Sequence, residues 1–134
     1  MDLENALYSG VQIAHNFGAA AVAGLPVAAL WLRPAAPVAR RMAALTLFAW
    51  AVQAASGAGF GTVSYFEEGE LPQIHHLALA ALCIKIFCAI TAILLLSLYF
   101  RRRREGAPSA ALWRGLAGLG TTALTFAAIL RWFS

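Results

Sequence analysis

The longest uncharged run of the chain covers residues 5–32 and reads NALYSGVQIAHNFGAAAVAGLPVAALWL. A second run without Asp, Glu, Lys or Arg covers residues 42–66. Each run exceeds the roughly 20 apolar residues that an α-helix needs to cross the hydrocarbon core of a bilayer. These two runs therefore predict membrane-spanning helices.

The composition of the whole chain favours the same environment. Hydrophobic residues make up 61% of the 134 residues and charged residues only 12%, whereas charged residues are about a quarter of a typical soluble domain. At about 20 residues for each span, the chain has room for four spans. We expect a single membrane domain over residues 1–134, without a soluble catalytic domain and without enzymatic activity.

Two further apolar stretches complete the predicted set of spans. The third stretch is interrupted only by Lys85, and the fourth carries Arg114 and Arg131 near its ends, where long side chains can reach water. Lipid offers no hydrogen-bond partner to the backbone, so each span must be a helix. The sequence predicts an all-α integral membrane four-helix bundle, with spans at about residues 6–32, 42–64, 72–100 and 109–133.

The charged residues predict the orientation of the spans. If the four spans alternate, one side of the membrane receives most of the arginines: Arg33, Arg40, Arg41, Arg101, Arg102, Arg103, Arg104 and Arg114. All the acidic residues except Glu105 fall on the other side: Asp2, Glu4, Glu67, Glu68 and Glu70. Arginine-rich flanks face the cytoplasm. We expect a bacterial inner-membrane protein with both termini outside, in the periplasm, whose arginine run binds anionic lipid and not nucleic acid.

The aromatic residues fit this frame, because amphipathic rings prefer the two membrane interfaces. The sequence predicts an inner and an outer aromatic belt. The inner belt consists of Trp31, Tyr99 and Trp113, and the outer belt of Tyr8, Tyr65 and Trp132. Trp50 lies well inside the second span and belongs to neither belt.

Polar residues inside the spans carry most of the functional information, because they are costly in lipid unless they face the bundle interior, a partner or water. In the first span, polar residues recur at helical spacing and share one face: Tyr8, Gln12, His15 and Asn16. The third span opens with His75 and His76. All three histidines therefore belong to the outer half of the predicted bundle.

Histidines at a common depth indicate a ligand site. Neutral imidazole binds copper, zinc and haem iron. Adjacent residues point about 100° apart on a helix, so we expect one of His75 and His76 to face His15. Such a pair suits axial ligation of haem b, with Arg131 near a propionate, or a copper ion with help from Gln12, Asn16 or a carboxylate. The alternative is that these histidines only form hydrogen bonds between helices.

Lys85 lies near the middle of the third span and needs compensation. We expect it to be solvated by polar groups of the second and fourth spans, namely Gln53, Ser56, Thr121, Thr122 and Thr125. Otherwise it loses its proton, meets an anionic ligand or pairs with another subunit.

Two cysteines lie close to Lys85 in the third span. Cys83 and Cys88 point about 140° apart, which predicts no disulfide. Cys83 is nearly aligned with His76, and the two would form a stripe that leads soft metal ions inward. The alternative is that Cys83 is a small hydrophobic residue.

Small residues in the fourth span form a narrow face to which another backbone could come close. This face consists of Gly115, Gly118, Thr122 and Thr125. Together with Lys85, it suggests a homo-oligomer or a subunit of a larger membrane complex.

Three segments of the chain resemble the CopD-like family of bacterial membrane proteins, which is linked to copper uptake and resistance. They are QIAHNFGAA at residues 12–20, QAASGAGFG at residues 53–61 and HHLALAALCIKIF at residues 75–87. Members of that family have more spans, so this chain would correspond to part of one or to a shortened relative. The resemblance implies copper contacts at His15 and at His75 or His76.

The leading functional prediction is therefore copper handling or transport, with a periplasmic copper or redox protein as a possible partner. The outer histidines on four helices are also similar to small membrane cytochromes b. The first alternative is an electron-transfer subunit that binds haem through the same histidines. The second is an accessory subunit in which the histidines are structural.

The predicted topology can be tested with a reporter enzyme fused after Ser134. Because the arginines are expected to face the cytoplasm, the C-terminus is expected outside, and a reporter that is active only in the periplasm should be active there. Activity of a cytoplasm-specific reporter at the same position would overturn the outward C-terminus.

Overall fold

A computed structural model of the protein describes residues 3–68, 76–102 and 106–133, with side chains for residues 5–59, 77–102 and 106–132. Helices account for all regular secondary structure in these ranges. They are α1 (Leu3–Leu32), α2 (Ala36–Glu68), α3 (His76–Arg101) and α4 (Ala110–Phe133). The prediction of an all-helical chain with four helices is confirmed.

The four helices pack as a ring. Helix α1 contacts α2 and α4, and α3 contacts the same two helices. Across the described residues, α1 and α3 do not pack against each other, and neither do α2 and α4. The fold is therefore a four-helix bundle in which α1 and α3 face each other diagonally across the interior.

Three of the helices are long and apolar enough to cross a membrane. The qualifying segments are Asn5–Leu32 in α1, Ala36–Gly59 in α2 and Leu77–Arg101 in α3. Helix α4 is not among them, because glycines, threonines and Arg114 dilute its apolar residues. Its 24 residues nevertheless give it a length of about 36 Å at a rise of about 1.5 Å per residue.

The connection between α1 and α2 is shorter than expected from the sequence. Helix α2 begins at Ala36, six residues before the predicted second span, so Arg40 and Arg41 lie on a helix and not in a loop. Arg33 ends α1 with a positive φ of 45°, and its N–H donates to the Ala29 carbonyl at 3.1 Å. A left-handed residue followed by Pro34 is a common way to end a helix.

The end of α1 and the start of α2 lie at the same end of the bundle as the end of α3 and the start of α4, and we call this end the arginine end. The described arginines near this end are Arg33, Arg40, Arg41, Arg101, Arg102 and Arg114. The half of the bundle away from this end is called the far half. The structure thus groups these arginines as the alternating-span interpretation requires.

The hydrophobic core lies toward the arginine end. Its largest fully buried side chains include Trp50, Leu96 and Leu116, from three different helices. Trp50, which fitted neither aromatic belt, is 2% exposed and fills the centre of this core. Its indole Nε1 is buried and has no hydrogen-bond partner in the described part of the chain.

Two members of the predicted inner aromatic belt are core residues, so that prediction is wrong for them. Tyr99 is 7% exposed and Trp113 is 4% exposed. The Tyr99 hydroxyl donates to the Gly106 carbonyl at 2.7 Å and so fastens the connection between α3 and α4. In contrast, Trp31 and Trp132 are 87% and 84% exposed, as residues of an interface belt should be.

Helices α1 and α4 come closest at a glycine that the sequence analysis did not single out. A Cβ atom at Gly120 would overlap the Val22 carbonyl and touch the Ala23 Cα at 3.0 Å. Gly115 and Gly118, the predicted packing glycines, have no atom within 4 Å of such a Cβ position. Within this chain the small-residue face of α4 is therefore open, and the backbone contact lies on a different face.

The substitution Gly120→Ala is expected to destabilise the bundle. The added methyl group must push α1 and α4 apart, and overpacking of this kind costs about 1–3 kcal/mol. Thermal unfolding of the purified chain in mild detergent measures the effect.

Gly118→Ala is the matched control, since its methyl group enters open space and alanine favours the helix by up to about 1 kcal/mol. Equal thermal midpoints for the two variants would contradict the close approach at Gly120.

Candidate functional site

The side chain of His15 forms a hydrogen bond to a residue of α2. It is half-buried, and its Nδ1 lies 2.8 Å from the Ser56 Oγ. The Ser56 Oγ lies 2.7 Å from the Val52 carbonyl oxygen and 3.3 Å from the Gln53 carbonyl oxygen. When the hydroxyl donates its proton to one of these carbonyls, Ser56 can accept from Nδ1–H of His15, and that tautomer carries the imidazole lone pair on Nε2.

A second polar contact joins the helices at the same level. Gln53 Nε2 donates to the backbone carbonyl of His15, which can accept it because a carbonyl oxygen has two lone pairs. The Gln53 side chain lies over Gly18, where a Cβ would approach Nε2 to 2.9 Å and Cγ to 3.3 Å. The absence of a side chain at Gly18 is therefore what lets Gln53 reach α1.

The pairing of His15 with Gln53 and Ser56 is the feature that the sequence analysis missed. A signal for it exists in the short turn between α1 and α2. His15 lies nineteen residues before Pro34, and Gln53 lies nineteen residues after it. Antiparallel helices joined by a tight turn bring such equidistant residues to the same level.

Lys85 is half-buried on α3, diagonally opposite α1. Its ammonium group makes no hydrogen bond or ion pair within the described residues. An isolated cation and the bonded imidazole thus share the far half of the bundle.

Four of the five groups that could solvate Lys85 form hydrogen bonds elsewhere within the described residues. Gln53 and Ser56 bond to His15. Thr121 and Thr125 donate to carbonyls of their own helix at 2.8 and 2.9 Å. Within a helix such back-bonding competes with contacts to neighbouring helices.

The other predicted site residues on α1 and α4 lie apart from the bonded pair. Gln12 donates to Asn16 at 3.2 Å, which confirms their common helical face, but the two amides bond to each other and Asn16 is exposed. Arg131 is exposed in the last turn of α4.

The cysteines of α3 point in different directions, as their spacing predicts. Cys88 is buried and Cys83 is exposed, and both are free. The predicted stripe from His76 to Cys83 would have to lead into the bundle interior, whereas the Cys83 side chain is on the outside of the bundle. Cys83 therefore does not contribute to the cluster around His15.

The predicted partners of His15 lie largely outside the described residues. His75 is outside them, and of His76 only its position as the first residue of α3 is described. The two-histidine site therefore stays a prediction. In the part of the chain that is described, no three His, Cys, Asp or Glu side chains come together, so this part offers His15 alone as an imidazole ligand.

A groove of about 470 Å³ lies beside the bonded pair, between α1 and α2. Small and apolar residues line it together with the Ser56 hydroxyl: Ala6, Leu7, Gly10, Val11, Ala14, Val52 and Ala55. The groove gives a ligand of the far half an apolar approach to Ser56.

Comparison with known protein families, with curated proteins and with solved structures finds no match for this chain. The resemblance to CopD-like proteins therefore stays a prediction from the residues quoted above. The described residues define an all-helical chain with three helices long and apolar enough to cross a membrane. They also define a polar cluster formed by His15, Gln53 and Ser56.

The contact between Gly18 and Gln53 can be tested by a double-mutant cycle. Gly18→Ala is expected to destabilise the protein because its methyl group displaces the Gln53 side chain. Gln53→Ala is expected to cost about 1 kcal/mol through the lost hydrogen bond.

In the Gln53→Ala background the methyl group at position 18 has room, so the double variant should be more stable than the sum of the single effects by about 1 kcal/mol. Thermal unfolding in detergent measures all four proteins. Additive effects would mean that the Gln53 side chain does not lie over Gly18.

Proposed function

We propose that this chain is a multi-spanning protein of the bacterial inner membrane that handles copper through a site containing His15. The observation that carries the proposal is the hydrogen bond of 2.8 Å between His15 Nδ1 and Ser56 Oγ. Metal-bound histidines commonly donate their second ring N–H to an oxygen acceptor, which fixes the tautomer and the orientation of the ring. Ser56 is suited to this role.

The position of His15 also supports a ligand site. Its side chain is half-buried and bonds to Ser56, which lines an apolar groove between α1 and α2. A ligand there would not have to displace tightly packed side chains. His75 or His76 would supply a second imidazole, as the resemblance to CopD-like proteins implies.

Haem b is the second candidate ligand, and Lys85 is the observation that favours it. Lys85 is half-buried on α3 and makes no hydrogen bond or ion pair within the described residues. A cation in a low-dielectric interior repels a bare copper ion more strongly than it would in water. Haem carries two propionates that a lysine can neutralise. An electron-transfer subunit would then use the same histidine as an axial ligand.

The proposed orientation places the arginine end in the cytoplasm and the far half toward the periplasm. A copper or redox protein of the periplasm would then have access to the His15 site. An accessory subunit with structural histidines is the outcome in which neither ligand binds.

One preparation tests these functions. The full chain, purified in mild detergent after growth with added copper, is analysed by absorption spectroscopy and by metal analysis. Copper handling predicts a colourless protein with stoichiometric copper that is lost in His15→Ala. Ser56→Ala keeps His15 as a copper ligand but removes the partner of its imidazole. It should weaken copper binding by about 10- to 100-fold, as expected for the partner of a metal-bound histidine.

Ser9→Ala is the matched control, because Ser9 is an exposed serine of α1 whose hydroxyl, like that of Ser56, donates to the carbonyl four residues earlier in its own helix. It should bind copper like the unmodified chain. A Soret band that disappears in His15→Ala would show that the ligand is haem and would overturn the copper proposal. A protein that binds neither ligand and copurifies with a larger complex would overturn the metal-site proposal.

A further inference from the structure

A second candidate site lies at the arginine end, on the opposite half of the bundle from His15. It is a shallow cleft of about 540 Å³ between the first turns of α2 and the last turn of α3. Its lining residues are Ala36, Pro37, Arg40, Arg41, Ala44 and Phe100. None of these residues belongs to the site proposed for copper or haem.

The cleft exists because of the residue spacing on α2. Its lining positions recur at intervals of three and four residues, so they occupy one face of the helix. Ala36 and Ala44 are small and leave space between this face and α3. The opposite wall is Phe100, whose ring packs edge-on against Tyr99 at a centroid distance of 5.0 Å.

The neighbouring residue Tyr99 fixes the position of Phe100. Tyr99 is buried and its hydroxyl donates to the Gly106 carbonyl at 2.7 Å. The position of Phe100 therefore depends on a residue that is fixed both by the core and by the connection to α4. The cleft is a built feature of the bundle and not a gap between loose side chains.

The cleft combines positive charge with an apolar floor. Arg41 is exposed and Arg40 is half-buried, and guanidinium groups bind phosphate through paired hydrogen bonds. Further exposed arginines at the same end, Arg33, Arg102 and Arg114, raise the local potential. Ala44 lies one helical turn deeper than Arg40 and offers apolar surface next to Phe100.

We propose that this cleft binds an anionic phospholipid of the surrounding bilayer, with the headgroup phosphate on Arg40 and Arg41 and the start of an acyl chain against Ala44 and Phe100. The proposal is based on the order of charged and apolar surface along α2. Charge lies at the end of the bundle, and apolar surface lies toward the middle, as they do in a phospholipid. Exposed Trp31 at the same end is typical of a membrane interface.

The proposal is tested with the full chain in mild detergent and with phosphatidylglycerol as the probe. Native mass spectrometry counts the retained lipid, and thermal unfolding measures stabilisation by added lipid. We expect phosphatidylglycerol to bind and to raise the thermal midpoint, whereas phosphatidylcholine and inorganic phosphate should not.

Two variants change the cleft in different ways. Arg41→Gln removes a charge, and Ala44→Leu fills the apolar part while keeping both arginines. Each is expected to weaken lipid binding by about tenfold, the effect of losing one charge-assisted hydrogen bond or its equivalent. Because Arg41 and Ala44 are both exposed, neither substitution disturbs the core.

Arg114→Gln and Ala111→Leu are the matched controls, since both residues are exposed near the same end but lie outside the cleft. They should bind phosphatidylglycerol within about twofold of the unmodified chain, less than the effect of one such bond. If Arg114→Gln and Arg41→Gln lost the same amount of phosphatidylglycerol affinity, the lipid would be attracted by the general positive charge of this end and not bound in the cleft. Stabilisation by inorganic phosphate alone, or no preference over phosphatidylcholine, would also overturn the lipid site.

Discussion

The three-residue connection between α1 and α2 is the constraint on which the rest of the bundle depends. It leaves no slack between the two helices, so the register of one against the other follows from the position of the turn. His15 then comes level with Gln53, and Gly18 comes beneath the Gln53 side chain. The same turn brings Arg33 to the arginine end, where Arg40, Arg41, Arg101, Arg102 and Arg114 also lie. Register, polar pairing and charge distribution therefore share one cause.

The described bundle contains both a buried apolar core and a group of polar side chains. In the core, Trp50 is 2% exposed, and Gly120 allows α1 and α4 to touch through their backbones. The far half contains instead a bonded imidazole and a lysine without a described hydrogen bond. Polar groups inside a membrane bundle are costly unless they are partnered or wet. The apolar core thus supplies stability, and the polar side chains are where the proposed ligand would bind.

The helices and the common end of the arginines were predictable, because uncharged length and charge position are read directly along the chain. The rotation of each helix about its axis was not. Helices α2 and α3 are apolar on most sides, so the pattern does not reveal that Tyr99 and Trp113 turn inward. For the same reason, Gly115 and Gly118 looked equivalent to Gly120. Predicting that His15 pairs with Ser56 requires the exact position of the turn between α1 and α2. The sequence hides this turn because its left-handed residue is Arg33 and not the usual glycine.

Arg33 shows how one position can answer to two physical demands. A left-handed backbone costs a residue with a side chain about 1–2 kcal/mol relative to glycine, and its φ of 45° places Arg33 in that region. Glycine there would relax the turn but remove a positive charge from the end of the bundle that is expected to determine insertion. The hairpin therefore carries a small conformational strain in exchange for directional information. In the proposed orientation, the turn between α1 and α2 and the direction of insertion would both depend on this one side chain.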